Sequence, residues 1–282
     1  DIPMSECTHD CSSCGESCAD RQGGSPFQIK PLHEGCHVRK VYGVVSGKGG
    51  TGKTSFTANV GLALAALGCH TLCLDCDITL RNLDLALGLS DRALMDFTDV
   101  IAGRCTLEDA VVQHPKYPKL HLLTAPLSAR PMPIAPEQMK ALLDRIRQTY
   151  DYCLIDAPAG LGMGFHLSSD YADRAVVVTN TDASSLRDAQ RTVMELDRLG
   201  RGNLHLVVGR VEKKLLRSLH TTIDDAMDAA GLPLLGVVPE DRNVPYALNT
   251  GIPLRECSNY AARAYENIAR RIMGQRIPLM RI

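Results

Sequence analysis

Val41-Tyr42-Gly43-Val44-Val45-Ser46-Gly47-Lys48-Gly49-Gly50-Thr51-Gly52-Lys53-Thr54 is the stretch that decides the fold. Its first half is apolar and rich in β-branched residues, which predicts a buried strand over Val41 to Ser46. Its second half satisfies G-x-x-x-x-G-K-[ST], and Lys53 to Leu67 then reads as a helix. Strand, glycine loop and helix in that order form an anion cradle, because glycines let successive backbone N–H groups turn toward phosphate oxygens while the helix N-terminus adds its dipole. Gly47, Lys48, Gly49, Gly50, Thr51, Gly52, Lys53, Thr54 and Ser55 are therefore candidate nucleotide-binding residues. Lys53 is expected to reach the β- and γ-phosphates, and Thr54 to offer its hydroxyl to Mg²⁺. Gly47, Gly49 and Gly52 also match the dinucleotide pattern G-x-G-x-x-G, with Asp75 near the ribose-binding offset. A dinucleotide, however, has no terminal phosphate to occupy Lys53 and Thr54, so a nucleoside triphosphate is the better fit.

Outward from the loop, apolar and amphipathic segments alternate. Strands are expected at Thr71 to Asp75, Leu120 to Thr124, Tyr152 to Asp156, Ala175 to Thr179, Leu204 to Val208 and Leu234 to Val238. Helices are expected at Glu137 to Gln148, Leu186 to Leu199, Thr221 to Ala230 and Ala261 to Met273. Strands that are apolar nearly throughout, separated by amphipathic helices, predict a doubly wound α/β fold with a mostly parallel sheet and helices on both faces, as in a P-loop NTPase. This body spans residues 38–282. Residues 1–37 are poor in large apolar groups and rich in Cys, Ser, Gly and Asp, so they read as a flexible tail.

With 282 residues, 45% hydrophobic and 22% charged, the chain is neither wholly disordered nor collagen-like. Its net charge of −1 argues against broad nucleic-acid binding, and no such partner is expected. The longest apolar run, Val60 to Leu67, is far short of the roughly 20 residues a membrane helix needs. Eleven cysteines stand out, and Cys7, Cys11, Cys14 and Cys18 are spaced C-x-x-x-C-x-x-C-x-x-x-C. Met4 reads as the natural start and no secretion signal precedes these thiols, so a cytoplasmic location with reduced cysteines is expected. Four thiolates so spaced can close around an iron–sulfur cluster, including the 4Fe–4S type, or tetrahedral Zn²⁺; a tail without metal is the third alternative. His33-Glu34-Gly35-Cys36-His37 matches the zinc-protease pattern, but Pro31 and Gly35 deny it the required helix. Cys69, Cys73 and Cys76 flank a strand and read as packing groups.

The additional lysine, Lys48 in K-G-G-x-G-K-T, resembles the deviant phosphate loop of the MinD/ParA group of ATPases. That resemblance implies a homodimer with ATP at its interface, in which Lys48 reaches the partner's nucleotide and offsets charge on the transferred phosphoryl group. Asp75-Cys76-Asp77-Ile78-Thr79-Leu80-Arg81-Asn82-Leu83-Asp84 is similar to the first switch region of the MinD type. The likeness places Asp77 near the attacking water and the metal, with Asp75 as a supporting acid; helix capping by either carboxylate is the alternative. Tyr152 to Asp156 is an apolar strand ending in an acid, so Asp156 is the expected Walker B ligand to Mg²⁺. Ala157-Pro158-Ala159-Gly160 resembles the second switch, and Val176 to Asn180 together with Pro239, Glu240 and Asp241 match the loop ends over the nucleotide. The resemblance spans most of the chain and implies a slow, partner-stimulated hydrolysis of ATP to ADP and phosphate.

Three features depart from the MinD type. Gly209-Arg210 stands where relatives carry Asn-Arg and read adenine with the Asn amide, so Arg210 and the backbone of Pro239 to Asp241 are left as base contacts. Ile277-Pro278-Leu279-Met280 is followed only by Arg281 and Ile282, whereas MinD proteins continue into a basic amphipathic helix. Two residues cannot supply that apolar stripe, which counts against membrane binding unless further residues follow. The cysteine-rich tail is similar to the leader of some Mrp-type ATPases. Two functions compete: a septum-site switch acting through a division regulator, and an iron–sulfur carrier delivering a cluster to a recipient protein. The charged face of Arg187 to Arg198 is a solvated surface or a partner face.

Overall fold

The computed structural model describes residues 40–90, 92–127, 134–219 and 222–280. The tail, with Cys7, Cys11, Cys14 and Cys18 and the His33 to His37 motif, lies outside the described residues.

Eight strands form one sheet in the order β3-β4-β2-β5-β1-β6-β7-β8. They are β1 (Lys40–Val45), β2 (Thr71–Asp75), β3 (Val112–Gln113), β4 (Leu120–Leu123), β5 (Tyr152–Asp156), β6 (Arg174–Thr179), β7 (Leu204–Val211) and β8 (Leu234–Pro239). All pairings are parallel except the two-residue strand β3, which runs antiparallel to β4. The helices are α1 (Lys53–Ala66), α2 (Leu83–Ala86), α3 (Phe97–Ile101), α4 (Leu107–Ala110), α5 (Pro136–Thr149), α6 (Met163–Ser169), α7 (Ala183–Glu195), α8 (Lys213–Leu219), α9 (Ile223–Ala230), α10 (Asn243–Thr250) and α11 (Tyr260–Ile272). Among the described residues no helix is long and apolar enough to cross a membrane.

The sheet is buried on both faces, as the unbroken apolar strands demand. Tyr42 and Val44 pack with Phe56, Val60 and Leu64 of α1 and with Ala264, Ile268 and Ile272 of α11. Val41, on the opposite face, packs with Leu142, Leu143 and Ile146 of α5, and Val45 with Ala189 and Val193 of α7. Between Val41 and Val45, a Cβ on Gly43 would sit 2.6 Å from the Ser168 carbonyl oxygen, so this glycine lets α6 lie directly against the strand.

β1 is flanked by β5 on one side and β6 on the other, so the chain reverses its direction of winding at the sheet's centre. A doubly wound sheet opens a crevice there, beyond the carboxyl ends of its strands. The loop after β1 and the acidic end of β5 both arrive at that crevice. Strand pairing also places Asp75, last in β2, opposite Asp156, last in β5.

Most boundaries fall within two residues of expectation; the larger shifts are at the end of β7 and at both ends of α7, which stops at Glu195 rather than Leu199. Helix α7 starts at Ala183 rather than Leu186, because the Asp182 carboxylate caps it, accepting from the Ser185 N–H at 3.0 Å. Strand β7 runs on to Val211 through an irregularity after Val208, with Arg210 at φ 53°.

Candidate functional site

The loop between β1 and α1 takes the shape its glycines allow. Gly50 and Gly52 have φ of +78° and +98°, the left-handed region where a side chain is strained. Lys53, the first residue of α1, extends its amine to the end of β1 and donates to Ser46 Oγ at 2.9 Å. Ser46 in turn donates to the Lys48 carbonyl at 2.7 Å. Lys53 is only 8% exposed and, among the described residues, forms no ion pair within 4.0 Å. Burial pulls its pKa down, while the carboxylates of Asp156 and Asp77 push it back up. A buried ammonium with one neutral hydrogen-bond partner is costly to hold, and an anion entering the loop would compensate it.

Thr54, one residue on, donates its hydroxyl to Asp156 Oδ2 at 2.6 Å. Thr57 lies one turn further along α1 and divides its hydroxyl between the Lys53 carbonyl at 3.0 Å and Asp156 Oδ1 at 3.4 Å. Asp156 is 2% exposed, and burial raises its pKa to about 6 against the Thr54 hydrogen bond and the Lys53 charge. A hydroxyl and a carboxylate held together are the hard oxygen donors that suit Mg²⁺. The donor set at Thr54 and Asp156 therefore fits the expected cation.

The two acids of the first switch are engaged differently. Asp75 is 1% exposed; its carboxylate accepts from the N–H groups of Asp77 at 2.9 Å and Leu83 at 3.2 Å. Burial first, and the facing Asp156 carboxylate second, raise its pKa to about 8. It pins both ends of the 77–83 loop and caps the start of α2, the alternative left open by the sequence. Asp77 Oδ1 accepts from Thr79 N–H, Thr79 Oγ1 and Leu80 N–H at 3.1, 2.6 and 2.9 Å. That carboxylate therefore closes a turn here.

Lys48 lies along its own chain. Its amine donates to Ser184 Oγ at 2.8 Å and lies 3.6 Å from Asp182 Oδ1, at the start of α7. Hydrogen bonds from the Ser184 and Ser185 hydroxyls hold the Asp182 pKa well below the usual carboxylate range.

A cavity of about 420 Å³ opens beside the loop, within the range of small-molecule sites. Gly50 to Phe56 form one wall; Gly209, Arg210, Pro239, Glu240 and Asp241 form another. Arg210 Nε donates to Glu240 Oε2 at 3.0 Å across the rim. Asp241 accepts from the Asn243 N–H at 2.8 Å and from the Ser258 hydroxyl. The structure thus brings the loop, Asp156 and the 209–210 and 239–241 segments to one crevice. The sequence did not single out Ser46, Thr57, Asp182, Ser184 or Tyr265, a cavity-lining residue from α11. Only Thr57, one turn beyond Lys53, carried a local signal.

Among the described residues no group of three or more His, Cys, Asp or Glu side chains is placed to hold a metal ion. The cluster or zinc site expected at Cys7, Cys11, Cys14 and Cys18 lies outside the described residues. Cys73 and Cys76 are fully buried, and burial raises both thiols, in keeping with packing.

Residues 42–254 match the CobQ/CobB/MinD/ParA nucleotide binding domain. The septum site-determining protein MinD of Bacillus subtilis (strain 168) is 40% identical over 242 residues, covering 84% of this chain and 90% of the relative. Of solved structures, MinD in the MinC:MinD cell division protein complex of Aquifex aeolicus superposes with a TM-score of 0.79 at 36% identity, covering 86% of this chain and 99% of that one. The septum site-determining protein MinD of Pyrococcus horikoshii OT3, complexed with Mg-ADP, gives 0.72 at 30% identity, covering 83% and 96%. These relatives support the MinD reading of the body and lend no support to the carrier reading of the tail. The chain belongs to the MinD/ParA family, as a MinD-like P-loop ATPase.

Proposed function

We propose that this chain is a Mg-ATP-dependent switch of the MinD type. ATP binds in the crevice over residues 47–55, two copies close face to face around their nucleotides, and the closed form engages a protein partner that regulates the septum site. Slow hydrolysis then separates the copies. Residues 38–282 form the switch body and 1–37 a separate tail, and the protein works in the cytoplasm.

The observation that carries the reading is Lys53: a buried, unpaired ammonium beside the Thr54–Asp156 pair. That amine would shift from Ser46 to the β- and γ-phosphates. Thr54 and Asp156 would hold Mg²⁺, the first through its hydroxyl and the second through water; the ion would neutralise charge on the phosphates. Asp77 would release the turn at Thr79 and Leu80 and orient the attacking water. That water's oxygen bonds to the γ-phosphorus as the β–γ bridge breaks, giving ADP and phosphate. Lys48, exposed and held by one hydroxyl and one carboxylate, would cross to the partner's nucleotide. The Aquifex aeolicus MinC:MinD complex supports a protein partner, and the Pyrococcus horikoshii MinD with Mg-ADP supports the cofactor pair.

The test is titration of the full chain with ATP, with and without Mg²⁺, monitored by calorimetry and light scattering. We expect one ATP per chain and a doubling of mass with Mg-ATP but not Mg-ADP. Failure to bind either nucleotide would end the reading; binding without a change of mass would end its dimeric part.

A further inference from the structure

The part of the cavity beyond the phosphate loop has side walls of Val178, Val207, Val238, Pro239, Val244 and Leu248. These hold a flat ring by shape and contact, and they read no hydrogen-bonding edge. The polar groups of residues 240–244 on that wall are largely engaged. Both carboxylate oxygens of Asp241 accept hydrogen bonds, from Asn243 and Ser258. The Glu240 N–H donates to the Val211 carbonyl at 3.0 Å, and the Val244 N–H to the Asp241 carbonyl at 3.0 Å.

At the rim, nearest the base's edge, stands the Arg210–Glu240 pair, whose side chains are 61% and 40% exposed. It offers both kinds of group: guanidinium N–H donors beyond Nε, and the second carboxylate oxygen as acceptor. Such a pair can serve adenine, which presents an amino group beside a ring acceptor. It can equally serve guanine, whose carbonyl takes a guanidinium and whose ring N–H and amino groups point to a carboxylate.

Position 209 is where a selective side chain could stand, and it holds none. A Cβ there would lie 3.4 Å from the Thr51 carbonyl and 3.7 Å from Asn180 Oδ1, ordinary contacts, so the backbone would accept a larger residue. Asn180 Oδ1 is itself buried without a hydrogen-bond partner. Position 209 thus places no side-chain group of its own against the base to read or reject it.

We infer that the base compartment is purine-tolerant, binding GTP as well as ATP, and that Gly209 is the specificity-determining position that leaves it so. The inference rests on the nucleotide-switch reading above. A site that hydrogen-bonds its ligand's edge rejects the wrong analogue by about 10⁴-fold or more, whereas an apolar pocket discriminates far less.

The experiment is competition of ATP, GTP and CTP for the full chain against a ribose-labelled fluorescent ADP. GTP should bind within about tenfold of ATP, with CTP weaker than both because its single ring covers less apolar wall. In Gly209→Asn the added amide can donate to Asn180 Oδ1 and present its oxygen to the base, and the ATP-to-GTP ratio should grow at least about tenfold. Tight ATP binding with GTP weaker by more than about tenfold in the unmodified chain would overturn the inference and leave the switch intact. An unchanged ratio in a folded Gly209→Asn would remove the role of Gly209. Failure of all three triphosphates to displace the probe would instead take down the nucleotide reading itself.

Discussion

Replacing Lys48 by Ala separates the work of the two loop lysines. In the resting chain the Lys48 amine is tied to Ser184 Oγ at 2.8 Å and to Asp182 Oδ1 at 3.6 Å, and the side chains of Lys48 and Asp182 are 45% and 51% exposed. A pair this open to solvent contributes about 0.2–1 kcal/mol. For a body of this size the loss lowers the melting temperature by no more than about 4 °C. Neither contact touches the crevice where Lys53, Thr54 and Asp156 meet, so ATP affinity of the isolated chain should be nearly unchanged. Across a closed interface, by contrast, a fixed cation opposite developing phosphoryl charge is worth about 10²–10³ in rate. In the proposed switch, the same weak tether would make the release of Lys48 cheap at each turnover. The assay is phosphate release beside light scattering in Mg-ATP. Lys48→Ala should bind ATP, stay monomeric and hydrolyse at least about 100-fold more slowly. Wild-type turnover with a normal dimer in that variant would refute the assignment of Lys48 to the partner's nucleotide.

Other outcomes follow from neighbouring groups. Lys53→Ala should abolish ATP binding by calorimetry while the nucleotide-free protein stays folded, because its amine makes one hydrogen bond, to Ser46, and no ion pair among the described residues. Asp156→Asn should still bind ATP but lose the Mg²⁺ dependence of that binding, read by titration with and without EDTA. The acids predict a pH trend: folding raises Asp75 to about 8 and Asp156 to about 6, so the folded chain holds protons the unfolded chain has released, and stability falls as pH rises toward 8. Melting of the nucleotide- and metal-free protein should therefore occur at higher temperature at pH 7 than at pH 8.5, and Asp75→Asn should flatten that difference. Below about pH 6.5 the opposite slope enters, since burial lowers His114, His121 and His205 and their protonation favours the unfolded chain. Gly61→Ala would set a Cβ 2.4 Å from Cys73 Sγ in the packing of α1 on β2, and should cost about 1–3 kcal/mol in a denaturant melt.

How much of this was legible in the sequence depended on whether a feature is local. Strands β2 and β5 fall at the expected residues because each is an unbroken apolar run stopped by an aspartate. Helices α5 and α11 fall within a residue of expectation because each repeats its apolar face over several turns. Helices α2, α3, α4, α6, α8 and α10, of four to eight residues, span too few turns to show a period, and the two residues of β3 cannot show alternation. The site divides the same way. The phosphate loop is contiguous, so its glycines, Lys53 and Thr54 announce themselves, and Asp156 is marked by the strand it ends. The partners that hold these groups at rest are not contiguous: Ser184 is 136 residues from Lys48, and Tyr265 reaches the cavity from the last helix. Asp77 shows why this matters for a switch. Its residue type and spacing suit a carboxylate near reacting phosphate, yet here it accepts three hydrogen bonds from Thr79 and Leu80. A motif records which atoms a group can meet in the state that does chemistry; the resting partners are chosen by packing elsewhere in the chain. Where Lys53, Lys48 and Asp77 each have a resting partner different from the expected working one, the free-energy difference between those partners would set how readily the proposed switch closes on its nucleotide.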